Sequence, residues 1–211
     1  MKVMTGLLAI VLLVGLTAIN LSAEEFVKGK HYIEINGELS KNPQVTEYFS
    51  FYCPHCYRQE PFMEEVKSML PETKSFVKTH VDSMPGRDKQ LEHALSRALV
   101  TAQLLKVEEK IVADIFSSIH EAGSPINSED DIKKLFQQRG VDGVTFDKTF
   151  NSFRVKTAVK KMQKSTNAMR QQGITSVPTL LINNKFVPQT RQLTSMKEYK
   201  ALIAFLLTKT S

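Results

Sequence analysis

Two cysteines three positions apart stand where an apolar, β-rich run gives way to a helix-opening proline, in Cys53-Pro54-His55-Cys56, and they are the only cysteines among 211 residues. The run before them, Gln44 to Tyr52, is rich in β-branched and aromatic residues, begins after Pro43 and reads as a buried strand. Pro54 suits the first position of a helix reaching to about Leu70, because its missing N–H has no intrahelical partner there in any case. Cys53 then occupies the cap. Its sulfur can accept hydrogen bonds from free first-turn N–H groups, and the helix dipole favours negative charge on it, so a Cys53 thiolate is stabilised. Cys56, three residues in, points inward, and the two Cβ atoms lie close enough for a disulfide, with Cys53 as the exposed sulfur a substrate reaches.

The remaining pattern completes a sheet with an interruption. Ser75 to Val81 reads as a second strand, parallel to the first if the intervening helix is a crossover. From Arg87 to Gln172 only helical periodicity is found. Leu91, Leu95, Ala98, Leu99, Ala102 and Leu105 share one face, and further helices are expected over Lys110 to His120, Ser128 to Gln138 and Thr145 to Gln172. Strands return at Thr179-Leu180-Leu181-Ile182 and Lys185-Phe186-Val187 about an Asn183-Asn184 turn, and a helix from Ser195 to Leu207 closes the chain. This is an α/β sheet domain, 24–86 and 173–211, interrupted by an all-helical insertion, 87–172.

Residues 1–23 have the three-part layout of a secretory signal peptide: basic Lys2, an apolar core from Leu7 to Val14, and Leu21-Ser22-Ala23 before Glu24. That core is shorter than the roughly 20 residues of a bilayer span. Cleavage after Ala23 is expected, and export places both cysteines in an oxidising compartment. The formal charge of +6 does not point to nucleic acid, since the basic residues are scattered among acids without interleaved aromatics.

Three readings compete with redox chemistry at the cysteine pair. Half of a zinc site needs further ligands, and His31, His80, His93 and His120 form no ligand-spaced pair, so no metal is expected. A structural disulfide closing so short a loop gains little entropy. A cysteine hydrolase gives no reason for the second thiol. His55, between the sulfurs, adds positive field beside the Cys53 thiolate and so favours the dithiol over the disulfide.

The stretch Pro43-Gln44-Val45 through Phe49-Ser50-Phe51-Tyr52-Cys53-Pro54-His55-Cys56-Tyr57 resembles the active-site segment of the DsbA family of periplasmic thiol oxidases. Ser176-Val177-Pro178-Thr179 is similar to that family's valine and cis-proline, and residues 87 to 172 match its helical insertion, so the resemblance covers essentially the whole chain after residue 23. It implies a thioredoxin-like fold, with Cys53 as the substrate-reactive sulfur, Cys56 as its buried partner, and Val177 and Pro178 facing them at the substrate site. It also places Glu47 and Lys78, and with them Glu60, beneath the disulfide. Alternation along the first strand puts Glu47 on the face of Val45, Phe49 and Phe51, where a carboxylate must be paired, and Lys78 on the next strand is the obvious partner. The chain departs from the family in lacking tryptophan, with Phe150 a candidate to fill that space, and in the composition of Val187 to Thr194.

The function so implied is oxidation of cysteine pairs in exported proteins by donation of the Cys53-Cys56 disulfide in the periplasm. It needs no bound cofactor. The resemblance further implies a monomer that binds unfolded or folding exported proteins with free cysteines, with a quinone-linked membrane partner resembling DsbB for reoxidation. The alternatives are a disulfide reductase or isomerase of the same fold, and a non-catalytic peptide-binding chaperone.

Overall fold

The structure, a computed structural model, describes residues 26–71, 74–121 and 126–209, so the expected signal peptide lies outside the described residues. Its elements are β1 (Tyr32–Glu34), β2 (Gln44–Phe49), α1 (Pro54–Ser68), β3 (Ser75–His80), α2 (Lys89–Leu104), α3 (Glu108–His120), α4 (Glu129–Gln138), α5 (Gly143–Phe150), α6 (Phe153–Gln171), β4 (Thr179–Ile182), β5 (Phe186–Pro188) and α7 (Met196–Thr208). The strands form one sheet in the order β1-β5-β4-β2-β3. β2 and β3 pair in parallel, which requires the α1 crossover, and every other pairing is antiparallel. Asn183 and Asn184, at φ 52° and 59°, turn β4 into β5, the left-handed pair that a two-residue hairpin demands.

Period-two alternation divides the sheet into two faces. On one, Val45, Leu180 and Ile182 pack with Phe62, Met63 and Val66 of α1 and with Leu202, Ile203 and Leu206 of α7. On the other, Tyr48, Leu181 and Val187 meet Met169 of α6. The helical block has its own core, built on Leu95, Leu99, Ile115, Phe116, Phe136 and Phe150. The same cluster includes Phe49, Phe51, Cys53 and Cys56, so the cysteine pair sits on the seam between the sheet and the inserted helices. Phe150 does fill the insertion's interior, with the Arg97 guanidinium 3.8 Å from its ring centre. Among the described residues, no helix is long and apolar enough to cross a membrane.

Three local expectations are corrected, and one strand is new. The first long strand ends at Phe49 rather than Tyr52, because the Ser50 carbonyl accepts from Cys53 N–H at 3.0 Å and turns the chain toward α1. The helix after the cysteines ends at Ser68, where Met69 and Leu70 N–H groups bond back to Glu65 and Lys67. The helix expected over Thr145 to Gln172 is two helices, since the Ser152 hydroxyl accepts from Val155 N–H at 3.2 Å and caps a new start. β1 went unanticipated. It is a three-residue edge strand that exists by pairing with β5.

His80 is buried on the sheet face it shares with Lys78. Its Nδ1 lies 2.8 Å from the Ser96 hydroxyl, its ring packs against Phe49 and Phe51, and its Nε2 has no partner among the described residues. Burial holds the imidazole neutral, with a pKa lowered to about 3. The unfolded chain binds a proton near pH 6.5 that the folded chain refuses, so His80 subtracts stability progressively as pH falls from 6.5 toward 3. His80→Asn keeps a polar atom near Nδ1 but does not titrate, and urea unfolding from pH 7 to pH 4 should show a shallower acid loss in this variant than in the parent.

Candidate active site at the start of helix α1

The site begins with the Ser50 turn, which aims the chain so that Cys53 becomes the cap of α1 and Pro54 its first residue. The Cys56 backbone N–H donates to the Cys53 sulfur at 3.2 Å, which is the sulfur-accepted cap bond that the sequence implied. Cys53 is far less open than expected, at 7% exposure, because Val177 closes over it: the Cys53 thiol donates to the Val177 carbonyl at 3.6 Å. Cys56 is fully buried. Burial pushes the Cys56 thiol far above its ordinary value, and its contact with Cys53 adds to the rise. The two sulfurs are thus unequal: Cys56 holds its proton, while Cys53 receives an N–H at a helix start.

The Val177-Pro178 peptide bond is cis, as the resemblance implies, and stands opposite Cys53. Pro54 and His55 are exposed. His55 Nδ1 lies 3.0 Å from an Arg58 guanidinium nitrogen, a neighbour the sequence reading missed although the i, i+3 spacing signals it. Behind Pro54, Tyr57 stacks on His120 with ring centres 5.0 Å apart, and His120 Nε2 lies 2.9 Å from the Phe51 carbonyl. Tyr57 also donates to the Glu121 carboxylate. These contacts join α3 to the motif across 63 residues of sequence and left no local signal. A cavity of about 220 Å³ beside the motif is lined by Tyr52, Pro54, Arg87, Ile119, His120 and Ile126.

Beneath the cysteines, Glu47 of β2 and Lys78 of β3 are register partners, and Lys78 Nζ donates to Glu47 Oε2 and Glu60 Oε1 at 2.7 Å each. The pairing inferred for Glu47 is therefore present, and Glu60 of α1 joins it. Burial raises the Glu47 pKa against the pull of Lys78, and its Oε1 has no partner among the described residues. Burial likewise raises Glu60, to about 7, with the Glu47 charge adding to the effect. For Lys78, burial works against the charge, but the two carboxylates outweigh it and hold the ammonium form. The three groups are close enough that their protons come off in steps that belong to the cluster rather than to any one residue.

Glu60 has a testable consequence. Its folded pKa of about 7 lies above the ordinary 4.5, so the folded chain binds the extra proton, and stability present below pH 4.5 is lost as pH rises through 7. The loss is on the order of 2–3 kcal/mol. Glu60→Gln should remove this alkaline-side slope, so its stability relative to the parent should rise between pH 5 and pH 8 in denaturant titrations. Among the described residues no group of three or more His, Cys, Asp and Glu side chains could hold a metal ion.

This geometry can be set beside known proteins. A family model described as a DSBA-like thioredoxin domain matches residues 44–200. The thiol:disulfide interchange protein DsbA of Pectobacterium carotovorum subsp. carotovorum is 33% identical over 201 residues, covering 91% of this chain and 93% of that protein. The protein of the same name from Yersinia pestis is 32% identical over 93% of this chain and 96% of its own length. Among solved structures, Proteus mirabilis DsbA with a non-covalently bound peptide superposes with a TM-score of 0.77 at 29% identity, covering 88% of this chain and all of that one. Klebsiella pneumoniae DsbA gives 0.76 at 25% identity, over 89% of this chain and 100% of its own. The thioredoxin-like sheet with its helical insertion is shared along the chain, and the chain belongs to the DSBA-like thioredoxin domain family.

Proposed function

We propose that the protein is a thiol:disulfide oxidoreductase that oxidises cysteine pairs in exported proteins, with Cys53 as the sulfur that substrates attack. The observation that carries this reading is the asymmetry of the pair: Cys53 accepts the Cys56 N–H at 3.2 Å at the mouth of the site, whereas Cys56 is fully buried. In the disulfide form, a substrate thiolate attacks the Cys53 sulfur. The Cys53–Cys56 bond breaks, and Cys56 departs with the electron pair and takes up a proton. A second substrate thiolate then attacks the substrate sulfur of the mixed disulfide and expels Cys53, whose developing charge is received by the N–H at the start of α1. The substrate gains one disulfide and the enzyme is left as a dithiol.

In this reading each group of the site has a role. Glu47, Glu60 and Lys78 lie beneath Cys56 and supply or take its proton as the pair is reduced or oxidised. Val177, whose carbonyl faces the Cys53 sulfur, pairs with the substrate backbone as an added strand, with Pro178 shaping the loop. Arg58, whose guanidinium donates to His55 Nδ1, supplies positive charge on the exposed side of the motif. The protein acts in the periplasm after removal of residues 1–23, without a bound cofactor, and is reoxidised by a quinone-linked membrane partner.

The test is paired assays on one preparation. The disulfide form should oxidise a reduced two-cysteine peptide with stoichiometric loss of its own disulfide, and the dithiol form should reduce insulin poorly. Rapid insulin reduction without peptide oxidation would instead make it a reductase, and inactivity in both would make it a peptide-binding protein.

A further inference from the structure

The expectation that the basic residues are scattered among acids fails at helix α6, which carries Arg154, Lys156, Lys160, Lys161, Lys164 and Arg170 and not one carboxylate, in a chain whose whole formal charge is +6. Arg170 is tied down, donating to the Asp82 carbonyl. The other five are exposed, and among the described residues none of them is in a salt bridge. The buried side of the helix is marked by Val155, Val159, Thr166 and Met169; Lys160 and Lys164 stand opposite it, Lys156 and Arg154 on its two flanks, and Lys161 at the rim of the groove between α6 and the sheet. From Arg154 to Lys164 they extend about 15 Å along the axis. Acids in the preceding helix do not neutralise them: Asp147 is held by Lys133, and Asp142 is engaged in capping α5. On the same outward row, seven residues before Lys160 and eleven before Lys164, stands Phe153, which at 83% is the most exposed large hydrophobic side chain described.

We propose that the outer face of α6 docks on an anionic lipid bilayer. A single bound phosphate would be served by one or two cations converging on a cleft, whereas these five are spread along a convex helix face, which suits an extended sheet of negative headgroups. A soluble polyanion gives no reason for an exposed phenyl ring in the row. A bilayer surface does, because the ring enters the acyl boundary while the lysine stems lie along it and lift their ammonium groups to the headgroups. The helix is not apolar enough to cross a membrane, so the docking is peripheral, reversible and sensitive to salt. It is independent of the thiol chemistry, since the cysteine pair is held by β2, α1 and the Val177 loop.

The test is co-sedimentation with vesicles of phosphatidylglycerol mixed into phosphatidylcholine, against pure phosphatidylcholine. It uses the chain from Glu24 onward, which holds every described element and lacks the apolar leader. Binding should occur only to the anionic vesicles and weaken as salt is raised. Neutralising a cation should weaken it roughly five-fold, the triple reversal Lys156→Glu, Lys160→Glu, Lys164→Glu more than about a hundred-fold, and Phe153→Ala several-fold. Circular dichroism melts monitor folding, and should the triple variant not fold, Lys160→Gln with Lys164→Gln replaces it, with roughly a twenty-five-fold loss expected. Equal partition onto both vesicle types, no binding to either, or parent-like binding by the folded charge variant would overturn the proposal. So would competition by soluble polyglutamate as effective as by vesicles, with Phe153→Ala without effect, because the face would then be a general polyanion site.

Discussion

Cys53→Ser is expected to abolish oxidation of reduced peptides, a loss on the order of a thousand-fold or more, while Cys56→Ser, offered a peptide disulfide that the Cys53 thiolate opens by exchange, accumulates a mixed disulfide between Cys53 and substrate. The asymmetry follows from position. Cys53 lies at the mouth of the site between the Cys56 N–H and the Val177 carbonyl, and a substrate sulfur can approach it along the loop before Pro178. Cys56 is fully buried and holds its proton strongly, so it neither meets substrate first nor attacks unless Cys53 is already bonded to a substrate. With Cys56 replaced, nothing displaces the trapped substrate from within the protein. Mass spectrometry of trapped adducts checks this, and adducts formed through Cys56 in the Cys53→Ser variant would reverse the assignment.

The second large effect concerns the cluster below. Lys78→Met should destabilise the fold by about 3–5 kcal/mol at pH 7, because Glu47, fully buried on β2, loses its only donor among the described residues and faces Glu60 across the vacated space. Glu47 already binds its proton more tightly than an ordinary carboxyl with a pKa of 4.5, and without the ammonium it binds it more tightly still. The penalty is therefore small below pH 4.5 and grows as pH rises and the folded carboxyl is forced either to ionise or to keep a proton the unfolded chain releases. Adding Glu47→Leu to Lys78→Met should recover most of the loss, since the pair is then replaced by apolar groups rather than broken. Chemical denaturation of the two variants at pH 5 and pH 8 measures both the size and the sign.

How much of this was legible in the sequence depended on the range of the physics. The cap, the first turn and the inward Cys56 are set within four residues, and Pro54 with two cysteines states them almost alone. The Glu47–Lys78 pair was legible because strand alternation forced a carboxylate inward and the adjacent parallel strand offered one cation at the matching height. The same alternation could have marked His80, two residues beyond Lys78 and so on the same buried face. What could not be read was tertiary. β1 exists only through pairing with a strand more than 150 residues later. The Tyr57–His120 stack depends on how α3 docks against α1. The break between α5 and α6 rests on one serine hydroxyl capping Val155 while apolar residues continue on both sides, so periodicity ran through it. The nearly closed Cys53 reflects the Val177 loop, which a local reading of the helix start does not contain.

The central claim is that the fold stabilises the Cys53 sulfur as a leaving group and so favours the dithiol over the disulfide. Equilibrating the protein in glutathione redox buffers at pH 7 and measuring the fraction of Cys53–Cys56 disulfide tests it most directly. The account predicts that the disulfide is already reduced in oxidising mixtures, with a midpoint above about −180 mV. By the closed cycle between folding and reduction, the folded dithiol must then resist unfolding better than the folded disulfide. A disulfide that persists in reducing buffers, with a midpoint near or below about −270 mV, would contradict the account and make the pair a reductant or a structural bond.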